Sequence, residues 1–167
     1  MILDPELALV HPPELYRTEV YVPQSIVHFF ETWSEALNPS GGREVKHTGD
    51  GIMASFASAA GAVRCAARIQ RELARYWQEN TEHPIKVRIG AAAGEPVEHQ
   101  QDLFGSTVQL AARLCSEAQP EQILVSSVIA ELCLGKCLLF QDLGEVSLRG
   151  FERPMRVHAV DWPGDAG

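Results

Sequence analysis

The stretch Gly41–Phe56, GGREVKHTGDGIMASF, carries the decisive pattern of this chain. Val45, Ile52 and Phe56 supply apolar anchors on either side of a compact turn in which Gly49 and Gly51 bracket Asp50. Glycine beside aspartate permits the positive φ that a short hairpin turn needs. The pattern therefore predicts strand, turn and strand over 43–56, with Asp50 at an exposed tip. A carboxylate held there is the hard oxygen donor that Mg²⁺ prefers. Most such hairpins are only turns, so a metal reading depends on the rest of the chain.

Upstream of the hairpin, Ile26, Phe29, Phe30, Trp33 and Leu37 recur at helical spacing, and Asn38-Pro39 ends the run, predicting a helix over 24–37. Residues 1–24 are divided by Pro5, Pro12, Pro13 and Pro23 and read as an irregular arm, with one short strand at Thr18–Val22. Downstream, Ser58 caps a long helix over 59–78, whose Val63, Ala66, Ala67, Ile69, Leu73 and Tyr76 form an apolar stripe. A buried strand is expected over 84–93, an amphipathic helix over 107–118, a strand over 122–126 and a short helix over 128–134. Strands at 138–140, 145–148 and 155–161 complete the sheet, and 163–167 form a tail. The order gives one domain, an α+β or α/β sandwich with helices packed on a mostly antiparallel sheet.

The chain has 167 residues, with 14 Lys and Arg against 22 Asp and Glu, a net charge of −8. One domain of this size can bury a full core. The acidity argues against a nucleic-acid partner, which calls for a basic face. It leaves room for a nucleotide, whose phosphates a metal and a few local cations can neutralise. No apolar run approaches the roughly 20 residues of a membrane span, so the chain reads as soluble and cytoplasmic. Cys65, Cys115, Cys133 and Cys137 form no zinc-like set and read as reduced, structural thiols. The six histidines make no H-x-H or H-x₃-H pair.

Three segments in order, EVKHTGDGIMASF at 44–56, RIGAAAGEP at 88–96 and DLFGSTVQLAARLC at 102–115, resemble the class III nucleotidyl cyclases. The closing segment LGEVSLRGFERPMRVHAVDW at 143–162 also resembles that family's final strands. The resemblance covers residues 25–162 and implies an α+β domain over them, a ferredoxin-like cyclase sandwich. It also implies the chemistry: attack of the ribose 3′-oxygen of ATP or GTP on the α-phosphorus, with release of pyrophosphate. Two divalent ions, Mg²⁺ or Mn²⁺, would assist, and the active unit would be a head-to-tail dimer.

Residue by residue, the resemblance makes Asp50 the metal ligand of the hairpin and Lys46 the reader of the purine ring. Asp102 becomes its acidic partner, favouring adenine because a carboxylate accepts from the exocyclic amino group. Arg113 becomes the arginine that stabilises charge on the phosphates, and Gln109 stands one turn earlier where many members carry asparagine. Arg149 or Arg153 would replace a triphosphate-binding lysine that some members carry. The family's acidic first strand is the main departure, and the sequence reads as having that strand atypical or missing. Asp4 stands 46 residues before Asp50, close to family spacing, but is followed by Pro5. Three functions follow: a homodimeric adenylate cyclase, a half-site completed by a cyclase-like partner chain, and a non-catalytic module that dimerises.

Overall fold

The computed structural model describes residues 2–6, 24–47, 51–79, 85–95, 97–99 and 102–162. The expected strand at Thr18–Val22 and the tail at 163–167 lie outside these residues, as does the hairpin tip with Asp50.

The described chain forms strand β1 (Ile2–Glu6), helix α1 (Gln24–Leu37), β2 (Gly42–His47), β3 (Ile52–Phe56), α2 (Ala59–Glu79) and β4 (Lys86–Ala91). There follow β5 (Val97–His99), β6 (Asp102–Phe104), α3 (Ser106–Glu117), β7 (Ile123–Ser126), α4 (Ser127–Leu132), β8 (Leu139–Val146) and β9 (Met155–Asp161). Seven strands make one sheet in the order β2-β3-β1-β4-β7-β9-β8, and β5 and β6 pair separately. In the large sheet only the β4–β7 pair is parallel, the two strands being joined through α3.

Strand alternation divides the core between the two faces of the sheet. Ile123 and Val125 of β7, with Ile52, Val87 and Ile89 of the neighbouring strands, pack beneath Phe29 and Trp33 of α1 and Val63, Ile69 and Leu73 of α2. Leu124, between them in sequence, faces the other way and joins Val157 and Ala159 under Leu110 and Leu114 of α3. The amphipathic pattern of each helix thus selects its side of the sheet. Gln70, polar and 2% exposed, keeps its place on α2 because its Nε2 donates to the Val87 carbonyl at 3.0 Å. Ser58 caps α2 as expected, its Oγ accepting from the Gly61 amide at 3.3 Å.

Three expectations need correction. The first strand is present: Ile2–Glu6 lies in the interior of the sheet, between β3 and β4. Five residues with an internal proline carry too weak a pattern to reveal it. Pro5 is tolerated because, among the described residues, β3 pairs with Ile2 and Leu3 and Pro5 pairs with β4 alone. The strands expected at 138–140 and 145–148 are one strand, β8, bent by a bulge between Asp142 and Glu145 where Gly144 takes φ 79°. The β5–β6 pair was not anticipated, since three-residue strands in a Glu- and Gln-rich stretch show no alternation.

Candidate active site

The β2–β3 hairpin turns back at the same end of the sheet at which β1 leaves it. Ile2 and Leu3 pair with Met53 and Ile52, so Asp4, next after Leu3, runs toward the end of β3 that Gly51 precedes. Gly51 is buried and covalently joined to Asp50. The backbone therefore brings the strand carrying Asp4 beside the start of β3, which follows Asp50 in sequence. On its other side Asp4 is the register partner of Arg88 in β4, a half-buried residue that the sequence reading left unassigned. An arginine inside an otherwise apolar strand was the signal available for it.

Lys46 lies near the end of β2, just after a register slip: Glu44 opposes Ala54, whereas Lys46 opposes Met53. Bulges of this kind re-aim residues and recur beside functional sites. Asp102 opens β6, opposite His99. β6 lies against both β2 and α3, so the strands bearing Lys46 and Asp102 are neighbours.

Helix α3 presents Gln109 and Arg113 as exposed residues one turn apart, while Leu110, Ala111, Leu114 and Cys115 are buried. Its seat on the sheet is set by Gly90 of β4, where a β-carbon would collide with the Ala111 carbonyl and the Cys115 amide. The Cys115 thiol donates to the Arg88 carbonyl at 3.4 Å. Arg149 and Arg153, both exposed, flank the turn between β8 and β9.

Among the described residues no three His, Cys, Asp or Glu side chains converge on a point, and no helix is long and apolar enough to cross a membrane. By the family resemblance, a metal site would draw on Asp4 and Asp50, with phosphate oxygens of a substrate completing the shell. Carboxylate and phosphate oxygens are the donors that Mg²⁺ and Mn²⁺ favour, so the donor chemistry fits. Three of the thiols are enclosed: Cys65, Cys115 and Cys133 are buried, and burial pushes the Cys65 thiol up to about 11. Cys137 is exposed, so the expectation of four structural cysteines holds for the burial of three.

Residues 14–161 match the family described as the adenylate and guanylate cyclase catalytic domain. The fold superposes on the crystal structure of an adenylate/guanylate cyclase/hydrolase from Silicibacter pomeroyi with a TM-score of 0.80 and 31% identity, over 98% of this chain and 96% of that one. An adenylate cyclase of Streptomyces coelicolor is 35% identical over 107 residues, 64% of this chain and 27% of its own length. The uncharacterized protein Rv0891c of Mycobacterium tuberculosis is 33% identical over 145 residues, 83% of this chain and 48% of its own length. The chain thus spans less than half the length of these curated relatives. Fold, motif order and sequence similarity agree that the chain belongs to the adenylate and guanylate cyclase catalytic domain family.

Proposed function

We propose that this domain is an adenylate cyclase, converting ATP to cyclic AMP and pyrophosphate as a head-to-tail dimer. The observation that carries the reading is the position of Asp4, one residue beyond the Leu3–Ile52 pair, toward the end of β3 that Gly51 joins to Asp50. That position supports reading β1 as the acidic first strand of the family. Lys46 donates to the purine ring and Asp102 accepts from the adenine amino group. Gln109 orients the ribose, and Arg113 stabilises charge gathering on the phosphates through its planar fork of donors. The exposed setting of both α3 residues leaves them available to a nucleotide held mainly by a second protomer.

Asp4 and Asp50 would hold Mg²⁺ or Mn²⁺, which supplies neutralisation of the triphosphate and a lower pKa for the ribose hydroxyl. In the balanced reaction the 3′-oxygen forms a bond to the α-phosphorus while the bond to the leaving oxygen breaks. Pyrophosphate departs with the electron pair, and the hydroxyl proton passes to solvent.

A second reading has its own support. The family match begins at residue 14, downstream of Asp4, and Gln109 replaces the usual asparagine. Both favour a domain that completes a composite site with a cyclase-like partner. One assay separates the readings: cyclic AMP and cyclic GMP formation by the purified chain with ATP or GTP and Mn²⁺, beside Asp4→Ala and Asp50→Ala. Cyclic AMP lost in both variants supports the adenylate cyclase. No product from folded protein overturns it in favour of the partner-dependent domain, and cyclic GMP as main product overturns the Lys46–Asp102 assignment.

A further inference from the structure

Helix α1 is fastened to the edge strand β2 at two points. Gly42 lies so close to Leu37 and Phe56 that a β-carbon there would collide with both side chains. Two residues further along, the indole N–H of Trp33 donates to Glu44 Oε2 at 3.2 Å. Trp33 is 1% exposed, and a buried indole N–H needs an acceptor, which Glu44 reaches in from the sheet edge to supply.

Glu44 is also the last residue of β2 in its first register. Gly42, Arg43 and Glu44 oppose Phe56, Ser55 and Ala54; after the slip, Lys46 and His47 oppose Met53 and Ile52. Ala54 and Ile52 belong to the face packed beneath α1 and α2. Without the slip, Lys46 would stand opposite Ile52, on that covered face. A one-residue change of register moves a strand position to the opposite face, and the bulge performs that change immediately before Lys46.

We propose that the Trp33–Glu44 hydrogen bond pins this bulge, making Trp33 and Glu44 positioning residues for nucleotide discrimination by Lys46. The inference rests on the reading of Lys46 as the purine-contacting residue. Anchored to α1, Glu44 is held at the Ala54 register, and the extra residue, Val45, must be absorbed before Lys46. When the anchor is lost, β2 is free to return to uninterrupted pairing, which withdraws Lys46 from the register of Met53. The effect reaches the nucleotide through the backbone of β2, with no contact from Trp33 or Glu44.

Four variants test this. Trp33→Phe keeps an aromatic ring in the core but removes the N–H, Glu44→Ala removes the acceptor, and Glu44→Gln keeps an acceptor oxygen. Lys46→Ala tests the underlying reading directly. Two quantities are read: amide hydrogen exchange across 43–47 in nucleotide-free protein, and the affinities for the α-thio analogues of ATP and GTP. The expected result is faster exchange at 44–47 in Trp33→Phe and Glu44→Ala, with the preference for the ATP analogue reduced about 3- to 10-fold in both. Glu44→Gln recovers most of both, and Lys46→Ala removes the preference without changing exchange at 42–44. Wild-type exchange and preference in Trp33→Phe and Glu44→Ala, beside an altered Lys46→Ala, overturns the positioning role alone. An unaltered preference in Lys46→Ala overturns the reading beneath it, whatever exchange shows. If Trp33→Phe does not fold, Glu44→Ala carries the test, since Glu44 is an exposed residue of an edge strand.

Discussion

Asp4 and Arg88 stand directly opposite each other across the β1–β4 ladder, on the third and fourth strands of the seven-stranded sheet. Residues opposed in an antiparallel pair share a face of the sheet. The pair therefore sets a carboxylate position and a cationic residue side by side at the sheet end where the β2–β3 hairpin turns. In the proposed site this is where anionic phosphates and a divalent ion would meet. Asp4→Asn is expected to lower Mn²⁺-dependent cyclisation at least about 100-fold, with the melting temperature within a few degrees of wild type. A rate within threefold of wild type would remove Asp4 from the metal site and leave the cation to other ligands of an active domain.

What was legible in the sequence follows from how each element is encoded. Helix α1 reads correctly to the residue because its apolar repeat runs into Asn38-Pro39, a physical stop. Strands β2 and β3 read correctly because apolar anchors stand on either side of a glycine-rich break in the sequence. β1 was illegible because five residues containing a proline have no periodicity to measure; their strand conformation comes from pairing with β4, which lies over eighty residues away in sequence. For the same reason Arg88 went unassigned: its significance is its register partner, and register between distant strands is not written in either strand alone. The bulge before Lys46 is likewise illegible, because the residue preceding it bonds a tryptophan in α1 that the strand's own sequence does not reveal.

Gly90 is where the fold leaves no room. A β-carbon would meet backbone atoms of Ala111 and Cys115, and backbone cannot rotate away as a side-chain tip can. Gly90→Ala is expected to lift α3 from β4 and destabilise the domain by about 1–3 kcal/mol. That corresponds to a fall in melting temperature of about 2–4 °C for each kcal/mol, read by thermal denaturation. Because α3 carries Gln109 and Arg113, turnover should fall more steeply than stability at temperatures where the variant remains folded. Unchanged melting would mean that α3 shifts on the sheet without loss.

At the far edge, Arg156 of β9 grips Asp142 of β8, its Nε lying 3.0 and 3.2 Å from the two carboxylate oxygens and its Nη2 in contact with Oδ2. The Gly144 amide adds a bond at 2.8 Å to Oδ1, closing the bulge. These bonds, Arg156 foremost, hold the Asp142 carboxyl below its ordinary value of 3.8. Such a depressed carboxylate contributes stability above the ordinary value and loses it as pH falls through the folded one. Both side chains are largely exposed, so solvent screening makes the contribution small. The measurement is a carboxyl NMR titration: the Asp142 midpoint lies below 3.8 in the parent and moves up toward it in Arg156→Gln. An unmoved midpoint would assign the depression to Gly144 alone.

The four cysteines divide by burial, and their chemistry should divide in the same way. Cys137 is exposed, whereas Cys65, Cys115 and Cys133 are enclosed in the core. A disulfide reagent at neutral pH is therefore expected to modify one thiol of the folded chain quickly and the remaining three only on unfolding, with the fast phase absent from Cys137→Ser. Burial raises the Cys65 thiol from 9.0 to about 11, so between those values the folded chain keeps a proton that the unfolded chain releases. The unfolded state binds fewer protons there, and stability must fall as pH climbs through that window. Denaturant unfolding at pH 8, 10 and 11 should show this decline, and Cys65→Ala should show a shallower one. Equal declines in the two proteins would place the alkaline sensitivity on another group.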